Sequence, residues 1–239
     1  MKAFDLHIHT NQSIGENSLE EIIDFAKKLG WSGITICDVF ENEDKLIKQK
    51  LLIDSLKTKY DMDIAHGVEI RADDPSKIKP LAQKIRKDVE LIIVRGGDLA
   101  INRAALETPE VDILSHPEFQ RNDSGIDHVL AKIAADNQVC IELNFREVLY
   151  SFRKSRAHIL THMRRNVALS KKFGFPVVIT SGAYSKWEMR GPRELAAFGT
   201  MVGFELENAM NAVSGFRIDR NRARLAGNWV MPGVEKIEV

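Results

Sequence analysis

The chain has 239 residues, of which 44% are hydrophobic and 28% charged, proportions that exclude a disordered chain or a fibre. A chain of this length buries about 70% of its unfolded surface, enough for one large core. Its 34 Lys/Arg and 34 Asp/Glu cancel, so it is not a uniformly basic nucleic-acid binder.

Short apolar runs rich in Val and Ile, without strict alternation, predict strands covered on both faces. They fall at Ala3–Ile8, Gly33–Cys37, Asp63–Glu69, Leu91–Val94, Val111–Ser115, Val139–Leu143 and Val177–Thr180. Helical patterns fill the gaps. Ser18 and Glu21 form a capping box for a helix over Leu19–Leu29 that Gly30 stops. Further helices are predicted at Asn42–Lys59, Ser76–Lys87, Leu99–Leu106, Ile126–Asn137 and Arg153–Phe173. No apolar stretch reaches the ~20 residues of a membrane span, and Phe4-Asp5 turns polar too early for a secretory signal. A soluble, cytoplasmic protein is expected. Cys37 and Cys140 lie within apolar runs and read as reduced core residues.

Strands alternating with helices imply a parallel sheet, and seven strands with more helix after the last favour an α/β, TIM-like (β/α) barrel of seven or eight units. No linker or repeat interrupts it, so residues 1–239 are expected to form a single domain with a C-terminal helical extension. Functional residues of such barrels gather where strands end. Those ends carry His7 and His9, Asp38, Glu69 and Arg71, Arg95, His116, Glu142 with Asn144 and Arg146, and Tyr184. His7 and His9, two apart on a strand, project to one side. With Glu69 and His116 they make a four-residue set suited to a single divalent ion, zinc or manganese.

The run Asp5-Leu-His7-Ile-His9-Thr, with Gly67-Val-Glu69, His116-Pro117 and Glu142-Leu-Asn144, resembles the polymerase and histidinol phosphatase (PHP) superfamily. Its members are distorted TIM-like barrels that hydrolyse phosphoesters with up to three metals. The chain departs from that pattern at three points. Ile14 stands where an early acid is expected, Cys37-Asp38-Val39 replaces Thr-Asp-His, and Ser181-Gly182-Ala183-Tyr184 replaces Ser-Asp-Ala-His. The missing groups are those that would hold the second and third ions, and hydrolysis relies on clustered ions. A barrel that keeps His-x-His and Ser-His-Pro but ends Ser-Gly-Ala, with Arg190-Gly-Pro-Arg193 and Asn211–Ser214, is similar to one branch, protein component 3 of archaeal ribonuclease P. That resemblance implies a noncatalytic role: the RNA subunit, using magnesium, cleaves precursor tRNA at its 5′ end. The implied partners are ribonuclease P RNA, precursor tRNA through the complex, protein component 2 and other protein subunits, with no membrane. The alternative is a PHP-type phosphoesterase using His7, His9, Glu69 and His116.

The charge is segregated. Residues 145–224 hold 15 Lys/Arg against 6 Asp/Glu, and residues 1–144 hold 18 against 26. Stepping about 100° per residue along 153–173 aligns Arg153, Arg164 and Lys171, with Lys154, Arg165 and Lys172 beside them. Phe152, Ile159, Leu160, Met163 and Val167 fall opposite. No acid lies between Phe152 and Phe173 to pair with the cations, so this face is expected to meet a phosphate backbone. Arg71, Arg95, Arg121 and Arg146, just past strand ends, are expected to hold RNA at the mouth, with Arg190 beside it; Tyr184 and Trp187 offer rings for base stacking there but read first as packing residues. The run Arg217–Arg224 reads equally as a packed helix face or a second phosphate contact.

Overall fold

The computed structural model describes residues 2–226 together with the backbone of 229–231 and 234–235. Seven parallel strands stand in chain order: β1 (Phe4–Ile8), β2 (Gly33–Val39), β3 (Asp63–Ile70), β4 (Leu91–Arg95), β5 (Ile113–Ser115), β6 (Cys140–Asn144) and β7 (Val177–Thr180). A bridge between Ile8 and Ala183 joins the last strand's end to the first. The His9 amide donates to the Ala183 carbonyl there at 2.9 Å. The sheet is thus a nearly closed barrel, α/β as expected, of seven strands and not eight.

Around it run α1 (Leu19–Lys28), α2 (Glu43–Lys57), α3 (Ile78–Ile85), α4 (Leu99–Leu106), α5 (His128–Asn137), α6 (Phe145–Leu149) and α7 (Arg153–Phe173). Three more helices follow, α8 (Pro192–Met201), α9 (Leu206–Ala212) and α10 (Phe216–Leu225), and then a short antiparallel pair, β8 (Trp229–Met231) and β9 (Val234–Glu235). No described helix is long and apolar enough to cross a membrane. The capping box at Ser18 forms as expected, and Cys37 and Cys140 are buried and free.

Two apolar layers explain the architecture. The larger packs the outward strand residues, such as Ile34, Ile36, Ile64, Val68, Ile92 and Ile141, against the helices. The smaller fills the barrel's interior with Phe4, Leu6, Cys37, Ala65, Leu91, Ile93, Ile113, Cys140 and Val178, closed from below by Ile218 of α10. Following the pleat, the next inward positions are polar and lie at the strands' C-terminal ends: Glu69, Arg95, Ser115, Glu142, Asn144 and Thr180. On β1 the parity changes. Leu6 belongs to the interior and Ile8 to the outer layer, because the register between β1 and β2 slips by one residue between Asp5 and Ile8. That bulge turns His7 and His9 inward, where an unbroken alternation would have placed them outside.

Candidate functional site

The polar layer at the mouth is built around a buried histidine pair. His7 Nδ1 lies 2.7 Å from Glu142 Oε1, and its Nε2 lies 3.1 Å from His9 Nε2. Thr180 Oγ1 donates to Glu142 Oε1 at 2.6 Å and Asn144 Nδ2 to Glu142 Oε2 at 3.1 Å. Burial disfavours a charged His7, but hydrogen-bonded Glu142 and the nearby Glu69 and Asp5 outweigh it and raise the imidazole's pKa. Burial works against the Glu142 carboxylate too, yet His7 and its other donors hold it down to about 2. His9 goes the other way: burial, with His7 and Arg71 nearby, pulls its pKa well below the ordinary value. If His9 accepts from His7 at Nε2, its own proton lies on Nδ1, which is buried without a hydrogen-bond partner among the described residues.

The expected four-residue metal set divides into two. His7, His9 and Glu69 bring donor atoms within 4.8 Å of one another, and so, separately, do His7, His116 and Glu142. His116 groups with Glu142, and His9 with Glu69, His7 being common to both. Asn144 Nδ2 stands 3.5 Å from His116 Nε2, and His116 Nδ1 faces Glu147 Oε1 at 3.1 Å. Because the Nδ1 side of His7 is committed to Glu142, as in a carboxylate–histidine–metal arrangement, the triad His7–His9–Glu69 fits one ion. Glu69 Oε1 is buried without a hydrogen-bond partner, which agrees with that fit. Among the described residues, Val39, Ile14 and Tyr184 add no further ligand to that triad. Val39 carries no donor, Ile14 is exposed, and Tyr184 places its ring 4.8 Å from that of His9.

Guanidinium groups crowd the same mouth. Arg71 Nε donates to Glu69 Oε2 at 2.6 Å and its Nη2 to Tyr184 Oη at 2.9 Å. Arg95 Nη1 lies 3.9 Å from Glu69 Oε1, with its guanidinium 4.7 Å from the Phe119 ring. Arg146 binds Glu188 at 2.9 Å and is held between the rings of Tyr184, at 3.9 Å, and Tyr150, at 4.4 Å. The remaining mouth candidates are more committed than expected. Arg121 is tied by two 2.7 Å hydrogen bonds to Asp123. Arg190 donates to the backbone carbonyls of Trp187 and Met189 and lies over Phe145. Trp187 is 69% exposed with one edge against Phe25.

On α7, Arg153, Lys154, Arg164, Arg165, Lys171 and Lys172 are all exposed, as is Arg156. None of them forms an ion pair among the described residues; Arg164 and Lys171 reach only the carbonyls of Met201 and Gly203. Phe152, expected on the packed face, is instead 70% exposed. The turn into the helix puts Arg153 at φ 51°, which swings the preceding ring outward. The Arg217–Arg224 run divides. Arg222 binds Asp63 and Glu90, while Arg217 is buried and donates to the Gln138 carbonyl. Sequence reasoning did not assign roles to Glu142, Glu147 or Glu188, which anchor His7, His116 and Arg146. The visible signal for Glu142 was a charge within an otherwise apolar strand.

Comparison with known proteins agrees with this geometry. Residues 2–223 match the family model described as RNase P subunit p30. Ribonuclease P protein component 3 of Methanosarcina mazei is 35% identical over 238 residues, covering 98% of this chain and 95% of its own length. The same component from Methanococcoides burtonii is 39% identical over 236 residues, 98% and 94% of the two chains. Among solved structures, a chain from the cryo-EM structure of archaeal ribonuclease P with mature tRNA superposes with a TM-score of 0.83 at 32% identity, covering 98% of each chain. Histidinol phosphate phosphatase from Lactococcus lactis, solved with zinc, L-histidinol and phosphate, shares the fold at TM-score 0.60 and 12% identity, covering 85% of this chain and 95% of its own. The chain belongs to the ribonuclease P p30 family and is a protein subunit of ribonuclease P, of the archaeal component 3 type, acting in tRNA processing.

Proposed function

We propose that the chain supports the catalytic RNA of ribonuclease P and carries out no hydrolysis itself. The observation that carries this reading is α7, where seven exposed cations stand without an acidic partner among the described residues. Such a face neutralises backbone phosphates and reads no sequence. At the mouth, Arg71, Arg95 and Arg146 supply a second, smaller contact, and Arg121 and Arg190 reach RNA only by exchanging their present partners. The whole chain acts as one cytoplasmic domain, with α8 to α10 as its extension. Its partners are ribonuclease P RNA, precursor tRNA through the complex, and protein component 2 with the other subunits. Magnesium serves the RNA. One zinc or manganese ion on His7, His9 and Glu69 would brace the mouth.

A phosphoesterase reading draws on the same three converging donors. Reconstituted cleavage of precursor tRNA separates the two. Changing Arg164, Arg165, Lys171 and Lys172 together to Gln is expected to weaken assembly with the RNA at least tenfold, while His7→Gln with His9→Gln leaves cleavage within about threefold. The opposite pattern, with chelator-sensitive hydrolysis of small phosphoesters by the isolated chain, would establish the enzyme instead.

A further inference from the structure

At the end of the barrel where the strands begin, opposite the histidines, α10 lies across a cleft of about 330 Å³. Arg217, Arg220 and Arg224 all line it, and their i, i+3, i+7 spacing sets them in a row along one helix face. Their donors are only partly spent: Arg217 Nη2 donates to the Gln138 carbonyl at 2.5 Å and to Cys140 Sγ at 2.8 Å. Arg217 is only 3% exposed, and its Nε has no hydrogen-bond partner, nor do Nε and Nη2 of Arg224. Arg220 makes neither a hydrogen bond nor an ion pair among the described residues.

Asp112, the nearest acid, attracts all three through its charge but forms no hydrogen bond with them. Asp112 accepts from Arg86 Nη1 at 2.5 Å, from the Ile92 amide at 2.8 Å and from Asn221 Nδ2 at 2.8 Å, which occupies both its oxygens. Of the other lining acids, Glu110 takes a hydrogen bond from Gln83 on Oε1 while its Oε2 is buried without a partner, and Asp136 is exposed to water. Buried guanidinium nitrogens without acceptors are costly, and a row of like charges raises that cost. Burial and the neighbouring Arg86 pull the Arg224 pKa down to about 10. Burial and Arg217 lower that of Arg220. Arg217 goes the other way: burial works against its charge, but Cys140 and Asp112 outweigh it and raise its pKa. An anion in the cleft would act on the other two in the same direction.

We infer that this basal cleft is a second RNA-backbone site, which takes phosphodiester groups on Arg217, Arg220 and Arg224. The inference rests on the ribonucleoprotein reading above. Seven residues of helix span about 10 Å. That is longer than a single carboxylate, whereas a polynucleotide strand offers a phosphate every few ångströms. Guanidinium forks match the two free oxygens of each. The chain would then touch RNA on its flank through α7 and on its base through α10.

The test uses the full chain carrying Arg220→Gln and Arg224→Gln, which leaves the buried Arg217 in place. Calorimetric titration with inorganic phosphate is expected to show binding that the double variant weakens at least tenfold. Binding of ribonuclease P RNA, followed against salt, is expected to lose about 1.5 from the slope of log K on log salt. Circular dichroism confirms the fold of the variant. If phosphate binds the variant as it binds the parent, the site assignment is overturned. If phosphate binding falls while the RNA slope is unchanged, the cleft takes a small free anion and not the RNA backbone, and the RNA assignment is overturned. A parallel α7 variant separates this from the broader reading. If α7 and basal changes are both silent toward RNA, the proposed function fails. If only the basal change is silent, this inference alone fails.

Discussion

At the mouth, Gly182 packs directly against Asn144. It stands where the phosphoesterase pattern carries Asp, and it sits at φ 60°. A Cβ there would meet Asn144 Nδ2 at 2.1 Å and Oδ1 at 2.3 Å. Asn144 cannot yield without loss, since it donates to Glu142 and accepts from the Arg146 amide at 3.0 Å. Gly182→Asp therefore combines overpacking, worth about 1–3 kcal/mol, with a backbone conformation that costs roughly 1 kcal/mol. A fall in melting temperature of about 5–10 °C is expected, with no gain of metal-dependent phosphatase activity. Unchanged melting would refute the packing argument, and acquired activity would refute the view that the missing ligand cannot simply be restored. At the other end, Asp112 is a purely structural anion. Burial opposes its charge, but Arg86 and Arg217 outweigh that and lower its pKa. Asp112→Asn leaves a buried guanidinium unpaired and is expected to cost about 3–5 kcal/mol at pH 7. A depressed carboxylate pKa contributes stability that is present above the unfolded value of about 3.9 and lost as pH falls through the folded one. In urea denaturation the gap between parent and variant should hold from pH 7 to about pH 5 and narrow below about pH 4. A gap that widens in acid would show that Asp112 is not ionised in the native state.

At the scale of elements, strands were the more legible. Their apolar runs are separated by helices, so β4 and β7 begin where the sequence predicts. The β5 start moves from Val111 to Ile113, because the Thr108–Val111 turn hydrogen bond holds Val111 in the preceding loop. The bulge in β1 was not legible, since no glycine or proline marks it. Yet it decides whether the histidines face inward or outward. The five-residue α6 escaped because it begins directly at the end of β6, with Asn144 as both inward strand residue and helix cap. Helical periodicity correctly exposed the α7 cations. It misplaced Phe152, because a wheel assumes helical geometry at each position and Arg153 at φ 51° breaks it. How the ligands group was out of reach for a related reason. Spacing names residues at strand ends, but whether His116 turns to Glu69 or to Glu142 depends on which strands are neighbours. β5 lies beside β6, two strands from β3.

Across the whole molecule, a zero net charge conceals a division between 18 basic and 26 acidic residues in 1–144 and 15 against 6 in 145–224. The second group supplies the exposed flank of α7, Arg146 and Arg190 at the mouth, and the row on α10. At 0.1 M salt the Debye length is about 10 Å, shorter than the ~30 Å length of α7. A polyanion against that helix therefore responds to the charges beneath it and not to the acids carried elsewhere on the barrel. The chain is expected to bind a heparin column at pH 7 and 0.1 M salt despite its neutral sum, and to elute as salt rises. The variant with Arg164, Arg165, Lys171 and Lys172 all changed to Gln should elute earlier, whereas removing four lysines from the acidic part, such as Lys27, Lys28, Lys48 and Lys59, should change elution far less. Equal shifts would mean that net charge governs binding, and passage of the parent straight through the column would mean that α7 is not a polyanion surface.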